Sequence, residues 1–153
     1  MKTRRSKKPG DDIRTMLDAQ VRAVAGKVPP EVMDKVLRIR RLIERILPEL
    51  HDLPVGAPEV FLVERTATNY LPVALDNYLR LPARATSQPL RDGKTPTELL
   101  LHQLALLEDA LKEVGANLHQ YDADRLLAHG RFLEERLGKS GLSVRPPNGT
   151  DTS

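Results

Sequence analysis

Cysteine and tryptophan are absent from this 153-residue chain, and aromatic residues make up only 3% of it. Without cysteine there is no disulfide framework, no thiol nucleophile, no iron–sulfur ligation and no cysteine-based zinc site. The aromatic set is two phenylalanines and three tyrosines, and the tyrosines fall on helix seams. They therefore read as core rings with their hydroxyls at an edge rather than as a base-stacking platform. Long apolar runs are missing as well, and no window approaches the 18 uninterrupted apolar residues of a spanning helix. The basic start (Lys2, Arg4, Arg5, Lys7, Lys8) runs into Pro9-Gly10 and then Asp11-Asp12, where a secretory signal would have an apolar core. These absences together read as a cytoplasmic protein.

Charge, proline and helical periodicity are what the chain has in quantity. Charged residues reach 29%, hydrophobic residues 40%, and there are 12 prolines. Such a chain is long enough to bury one core. The formal charge of +3 hides an asymmetry. Residues 1–50 hold 13 basic and 7 acidic side chains, a net of +6, whereas residues 51–153 hold 11 and 14, a net of −3. The reading is a disordered basic arm over 1–10, a helical domain over 11–137 and a disordered tail over 138–153, rich in Gly, Ser, Pro and Thr.

Apolar residues recur at helical spacing almost throughout. Residues 12–25 form a first helix, capped by Asp11 or Asp12, with Ile13, Leu17, Val21 and Val24 on one stripe and Gly26 as its stop. Pro29-Pro30-Glu31 starts a second, where proline and an acid suit a helix N-terminus. Its seam is Val32, Val36, Ile39, Ile43, Ile46 and Leu50, and Pro48 predicts an end or kink near Leu47. Pro58-Glu59 starts a third, with Val60, Val63, Ala67, Tyr70, Ala74, Tyr78 and Leu81 as its seam and a kink near 68–71 imposed by Pro72. Residues 82–94 are non-periodic. Thr95-Pro96-Thr97-Glu98 is then a capping box with proline at the first helical position. The last seam runs through Leu100, Leu104, Leu107, Leu111, Val114, Leu118 and Tyr121. It shifts register near Asp122, predicting a break or bend before Leu126, Leu133 and Leu137. The fold class is an all-α, elongated antiparallel bundle of four to five helices with a proline-kinked third helix.

Reactive constellations are scarce. Gly93-Lys94-Thr95 resembles the end of a phosphate-binding loop, but Gln88 stands where the motif needs glycine, and no strand precedes it. The four histidines (His51, His102, His119, His129) never pair at three or four residues. Glu98, His102 and Asp109 share a helix side without making a metal set, and no catalytic residue, metal ligand or cofactor is implied. Two basic groups are candidates for anion or partner contact: Arg38, Arg41 and Arg45 on the outer side of the second helix, and Arg84, Arg91 and Lys94 around the 82–94 loop.

One segment carries a resemblance. Residues 66–81, with Tyr70-Leu71-Pro72, Leu75 and Tyr78-Leu79, followed by the leucine-rich helix from 98, resemble the C-terminal helical region of bacterial XpaC-like proteins over about residues 58–137. That family is associated with hydrolysis of a halogenated indolyl phosphate and is discussed beside TelA-type toxic-anion-resistance proteins. The resemblance implies a helical protein of envelope or toxic-anion stress, and a phosphate-ester hydrolase by family name alone. It places no catalytic residue in this chain, and it marks Tyr70, Pro72 and Tyr78 as the kink-and-seam residues. From the residues themselves the expectation is a non-enzymatic interaction or scaffold protein that binds a protein partner or a second copy. The alternative is a binder of nucleic acid or an anionic membrane surface through the basic arm and the Arg38–Arg45 face.

Overall fold

The computed structural model describes residues 10–138, so the basic arm and the tail lie outside the described residues except for Gly10 and Gly138. Among the described residues there is no strand. The fold is an all-α helical bundle of four rods. Helix α1 is Asp11–Val24 and α2 is Pro30–Leu50. The third rod joins α3 (Pro58–Arg65), a π-helical segment (Thr66–Tyr70) and α4 (Leu71–Leu79). A short 3₁₀ helix, Ala83–Ser87, precedes α5, Pro96–Gly138.

Proline sets most of the helix starts. Pro30, Pro58 and Pro96 occupy opening positions, where their missing N–H has no intrahelical partner to lose. At α5 the capping box closes in both directions: the Glu98 N–H donates to Thr95 Oγ1 at 3.1 Å, and the Thr95 N–H donates to Glu98 Oε1 at 3.0 Å. Helix α1 departs from the expected aspartate cap. Its cap residue is Gly10, at φ 97°, and Asp11 and Asp12 lie inside the first turn, where their charge suits the helix dipole. A side chain at Gly10 would also press on Leu47, whose carbons lie 3.4 Å from the place a Cβ would take.

The α2 seam is buried in full, with Val32, Val36, Ile39 and Ile43 all at zero exposure. Pro48 neither ends nor breaks α2 at Leu47, since the helix runs on to Leu50. It stands in the last turn, where only two residues follow and little helix remains to disturb.

Pro72 acts differently from a simple kink. Its ring has no N–H for the Thr68 carbonyl and would collide with it in a regular α turn. The five residues ahead of Leu71 take the wider π register instead. Two threonine hydroxyls bond back across this stretch, Thr66 to the Leu62 carbonyl and Thr68 to the Glu64 carbonyl, each at 2.8 Å. The extra residue corrects the predicted seam. Val63, Ala67, Leu71, Leu75 and Tyr78 point inward, whereas an unbroken α period placed Tyr70 and Ala74 there. Tyr70 is instead exposed.

Helix α5 is continuous from Pro96 to Gly138, so the break expected near Asp122 does not occur. No proline interrupts it. Side-chain pairs span the place, Gln120 donating to Asp124 at 3.0 Å and Arg125 to Asp122 at 2.5 Å. Leu100, Leu104, Leu111 and Val114 are buried as read, but Leu107 is half-buried and Glu108 takes an inward place.

The chain divides after Gly115, inside the 11–137 span read as one domain, into units 1–115 and 116–153. The first unit holds α1 to α4 and the start of α5, with α1 packed on α2 and on the π segment, and α2 on α3. The described part of the second is helix alone, and every residue from Asp122 to Gly138 is exposed. Leu126, Leu133 and Leu137, the residues that mark the last helical stretch in the sequence, are 74%, 39% and 46% exposed. Leu104→Ala should cost about 2–5 kcal/mol in urea unfolding. In protein dilute enough to be monomeric, Leu126→Ala should change stability by less than about 0.5 kcal/mol, and equal losses from the two would contradict this division of burial.

Candidate functional site

An apolar seam that admits a carboxylate needs a reason, and Glu108 has one. Its side chain is 6% exposed and accepts a hydrogen bond from Lys35 Nζ on α2 at 2.7 Å. Lys112 Nζ lies 3.6 Å and an Arg38 guanidinium nitrogen 4.0 Å from its second oxygen. The Lys35 hydrogen bond holds the Glu108 carboxyl below its ordinary range. Burial pushes the other way, and the charges of Lys35, Lys112 and Arg38 add to the lowering. Three cations face one acid, so this side of the bundle keeps a positive surplus while α2 and α5 are tied through Lys35.

Spacing along a single helix does not single out this cluster. Its signal was Glu108, one turn beyond Leu104 on the seam side of α5, with Lys35 next to Val36 on α2. Arg38, Arg41 and Arg45 do lie on the outer side of α2, and all three are exposed. Arg40 belongs to a different set: it reaches Asp18 of α1 and Glu44 of its own helix, each at 3.5 Å, and so helps hold the α1–α2 pair.

The second basic group is less organised. Arg84, Arg91 and Lys94 are exposed, and the order around them comes from other residues. Gly93, at φ 88°, donates its N–H to the Leu90 carbonyl, and the Lys94 N–H donates to Asp92 Oδ1 at 3.1 Å. That turn and the cap at Thr95 account for the Gly-Lys-Thr sequence without a phosphate. The expected non-periodic stretch contains the 3₁₀ helix, which is pinned to α5. Thr97 donates to the Thr86 carbonyl at 3.0 Å, so its hydroxyl accepts from Tyr78 at 2.8 Å. Tyr78 is thus a buried ring with a used hydroxyl. Tyr70 stands outside, with the Arg65 guanidinium 5.9 Å from its ring centre and 5.5 Å from that of Phe61.

Two concavities flank the Tyr78–Leu81 turn. One, of about 150 Å³, is lined by Ala74, Leu81, Leu90, Leu99 and Leu100, with Asn77 and Gln103 as its polar groups. The other, of about 480 Å³, runs past Lys27, Val28, Leu79 and Ala83. Neither brings a nucleophile to a base. Among the described residues no three His, Asp or Glu converge to hold a metal, and no helix is long and apolar enough to cross a membrane.

The exposed half of α5 is the remaining surface. Leu126 and Leu127 are 74% and 56% exposed. Phe132 is partly covered from its own helix, by the His129 ring at 6.0 Å and the Arg136 guanidinium at 5.2 Å.

A carboxyl held below its unfolded value stabilises the fold above the unfolded pKa of about 4.3. That contribution is lost as pH falls through the folded value. Glu108→Gln should therefore lower the urea midpoint at pH 7, by about 1–3 kcal/mol in stability. It should also flatten the wild-type decline below about pH 4.3; an unchanged acid profile would show that Glu108 does not supply it. No family model, no curated protein and no solved structure matches this chain.

Proposed function

We propose that the protein is a non-enzymatic helical interaction protein, in which the bundle of residues 10–115 is the scaffold and the exposed half of α5 is the docking element. The observation that carries this reading is the unbroken exposure from Asp122 to Gly138 in a helix that still presents Leu126, Leu127 and Leu133. An isolated helix of this length is marginal in water because its first turn is costly to form. Here the nucleus is already made by the docked stretch from Pro96, and the helix extends from it. Each leucine buried by a partner contributes roughly 1.5–3 kcal/mol, which is the driving force such a surface offers. The resemblance over 58–137 supports placing the role in bacterial envelope or toxic-anion stress. A hydrolase reading rests on that resemblance alone, because no described side chains are arranged for bond cleavage.

A photo-reactive residue at Leu126 or Leu133 of the full chain should give crosslinks to polypeptide in cells, and one at Arg41 should give few. Crosslinks at Arg41 alone, or at none of the three, would refute the docking role of α5.

A second reading has one observation behind it. Lys35 makes the hydrogen bond to Glu108, while Arg38 and Lys112 remain 54% and 61% exposed beside it, with Arg41 and Arg45 further along α2. This surplus supports contact with an anionic surface. Binding to anionic vesicles at low salt should weaken about tenfold or more in Arg38→Glu/Arg41→Glu/Arg45→Glu and vanish at 0.5 M salt if this reading holds, in keeping with counterion release. Binding that ignores both changes would remove it.

A further inference from the structure

The stripe on the exposed part of α5 has an internal order that points to its occupant. Small residues, Ala123 and Gly130, repeat seven apart, and large ones, Leu126 and Leu133, repeat seven apart between them. All four are exposed. Gly130 lies inside a helix, where glycine costs about 1 kcal/mol relative to alanine. Beyond its own neighbours and helical turn, nothing comes within 4 Å of where its Cβ would be, so no packing contact uses the missing methyl group.

Two orientations of a helix pair treat this pattern differently. In a parallel pair, like positions meet, so Gly130 would face Gly130 and leave a void between layers of leucine. In an antiparallel pair, the two stripe positions face each other. With the pairing centred on Ala128, Ala123 lies opposite Leu133 of the second copy, and Gly130 lies opposite its Leu126. Every small residue then receives a large one, and the glycines let the backbones approach closely.

The edges of the same register are complementary in charge. Asp122 lies beside Arg136 of the second copy, and the two-fold axis makes this pair twice. The Arg136 guanidinium lies 5.2 Å from the ring centre of its own Phe132, and Asp122 is 54% exposed with its Arg125 contact in place. On the opposite edge Leu127, 56% exposed, meets Leu127 of the second copy on the axis itself.

We infer that the occupant of the α5 surface is a second copy of this chain, paired antiparallel through residues 119–137 with Ala128 at the centre. This rests on the proposed docking role of α5 and names its partner. The pairing spans about 27 Å and buries on the order of 1,000 Å², near the lower bound for a specific interface. A reversible dimer in the micromolar range is the expectation.

The absence of cysteine gives a clean test. In full-length protein, Leu127→Cys should form a disulfide-linked dimer under mild oxidation. Leu133→Cys should not, because its counterpart is displaced by about 15 Å along the axis. Sedimentation equilibrium should show a concentration-dependent dimer, weakened about tenfold by Arg136→Glu through two like-charge contacts. The exchange Asp122→Arg/Arg136→Glu should restore it. A disulfide at Leu133→Cys as ready as at Leu127→Cys, or a charge exchange that fails to restore the dimer, would overturn the register. A chain that stays monomeric at 100 μM (about a hundred times a micromolar dissociation constant) would overturn the second copy as occupant. If that monomer still gives photo-crosslinks to another polypeptide at Leu126, the docking role survives; crosslinks at neither α5 position remove both.

Discussion

An amphipathic helix leaves its apolar stripe in water until something covers it, and the first unit is organised around that requirement. The α2 stripe, Val32 through Leu50, is buried throughout, with four residues at zero exposure. Helix α1, at 14 residues, is marginal alone, and the rod of α3, the π segment and α4 has an apolar face that must be covered. They persist by docking, α1 on α2 and on the π segment, and α2 on α3. The Glu108–Lys35 bond adds a polar contact at fixed register between α5 and α2. At Glu108 the Lys35 hydrogen bond and the neighbouring cations outweigh the cost of burial, so the carboxyl is held below its ordinary range.

The same requirement goes unmet in the second unit, and the contrast carries the functional reading. From Asp122 onward α5 keeps the spacing of a seam helix, yet all of its residues are exposed. Stripes in the first unit are covered to zero exposure while the α5 stripe beyond Asp122 stays in solvent, and the proposed docking role rests on that contrast. The small–large alternation of Ala123, Leu126, Gly130 and Leu133 gives that surface a shape, and its flanking charges give it a direction.

Proline shows how position governs the effect of one residue type. At Pro30, Pro58 and Pro96 it starts helices. At Pro48 it sits so near an end that α2 passes through it. At Pro72 it lies mid-rod, where the chain absorbs it by a π turn and two threonine back-bonds. That turn rotates the seam by one residue, which is why Leu71 and Leu75 are inside and Tyr70 outside.

Helix starts, the α2 seam and the capping box at Thr95 were legible from residue order alone, because caps, prolines and near-neighbour spacing act over a single turn or two. The turn at Asp92-Gly93 is local in the same way, since an Asp-Gly pair ahead of a cap acts within a few residues. Contacts between distant segments made the other decisions. Whether Pro72 bends a helix or shifts its register depends on which face α1 covers. Whether Leu126 and Leu133 are core or surface depends on whether another helix lies beside them, and periodicity records only that a stripe exists. In residue order Glu108 is one acid among many, and only the packing of α2 puts Lys35 against it. Burial and pairing are properties of neighbours in space, which spacing along one helix does not encode.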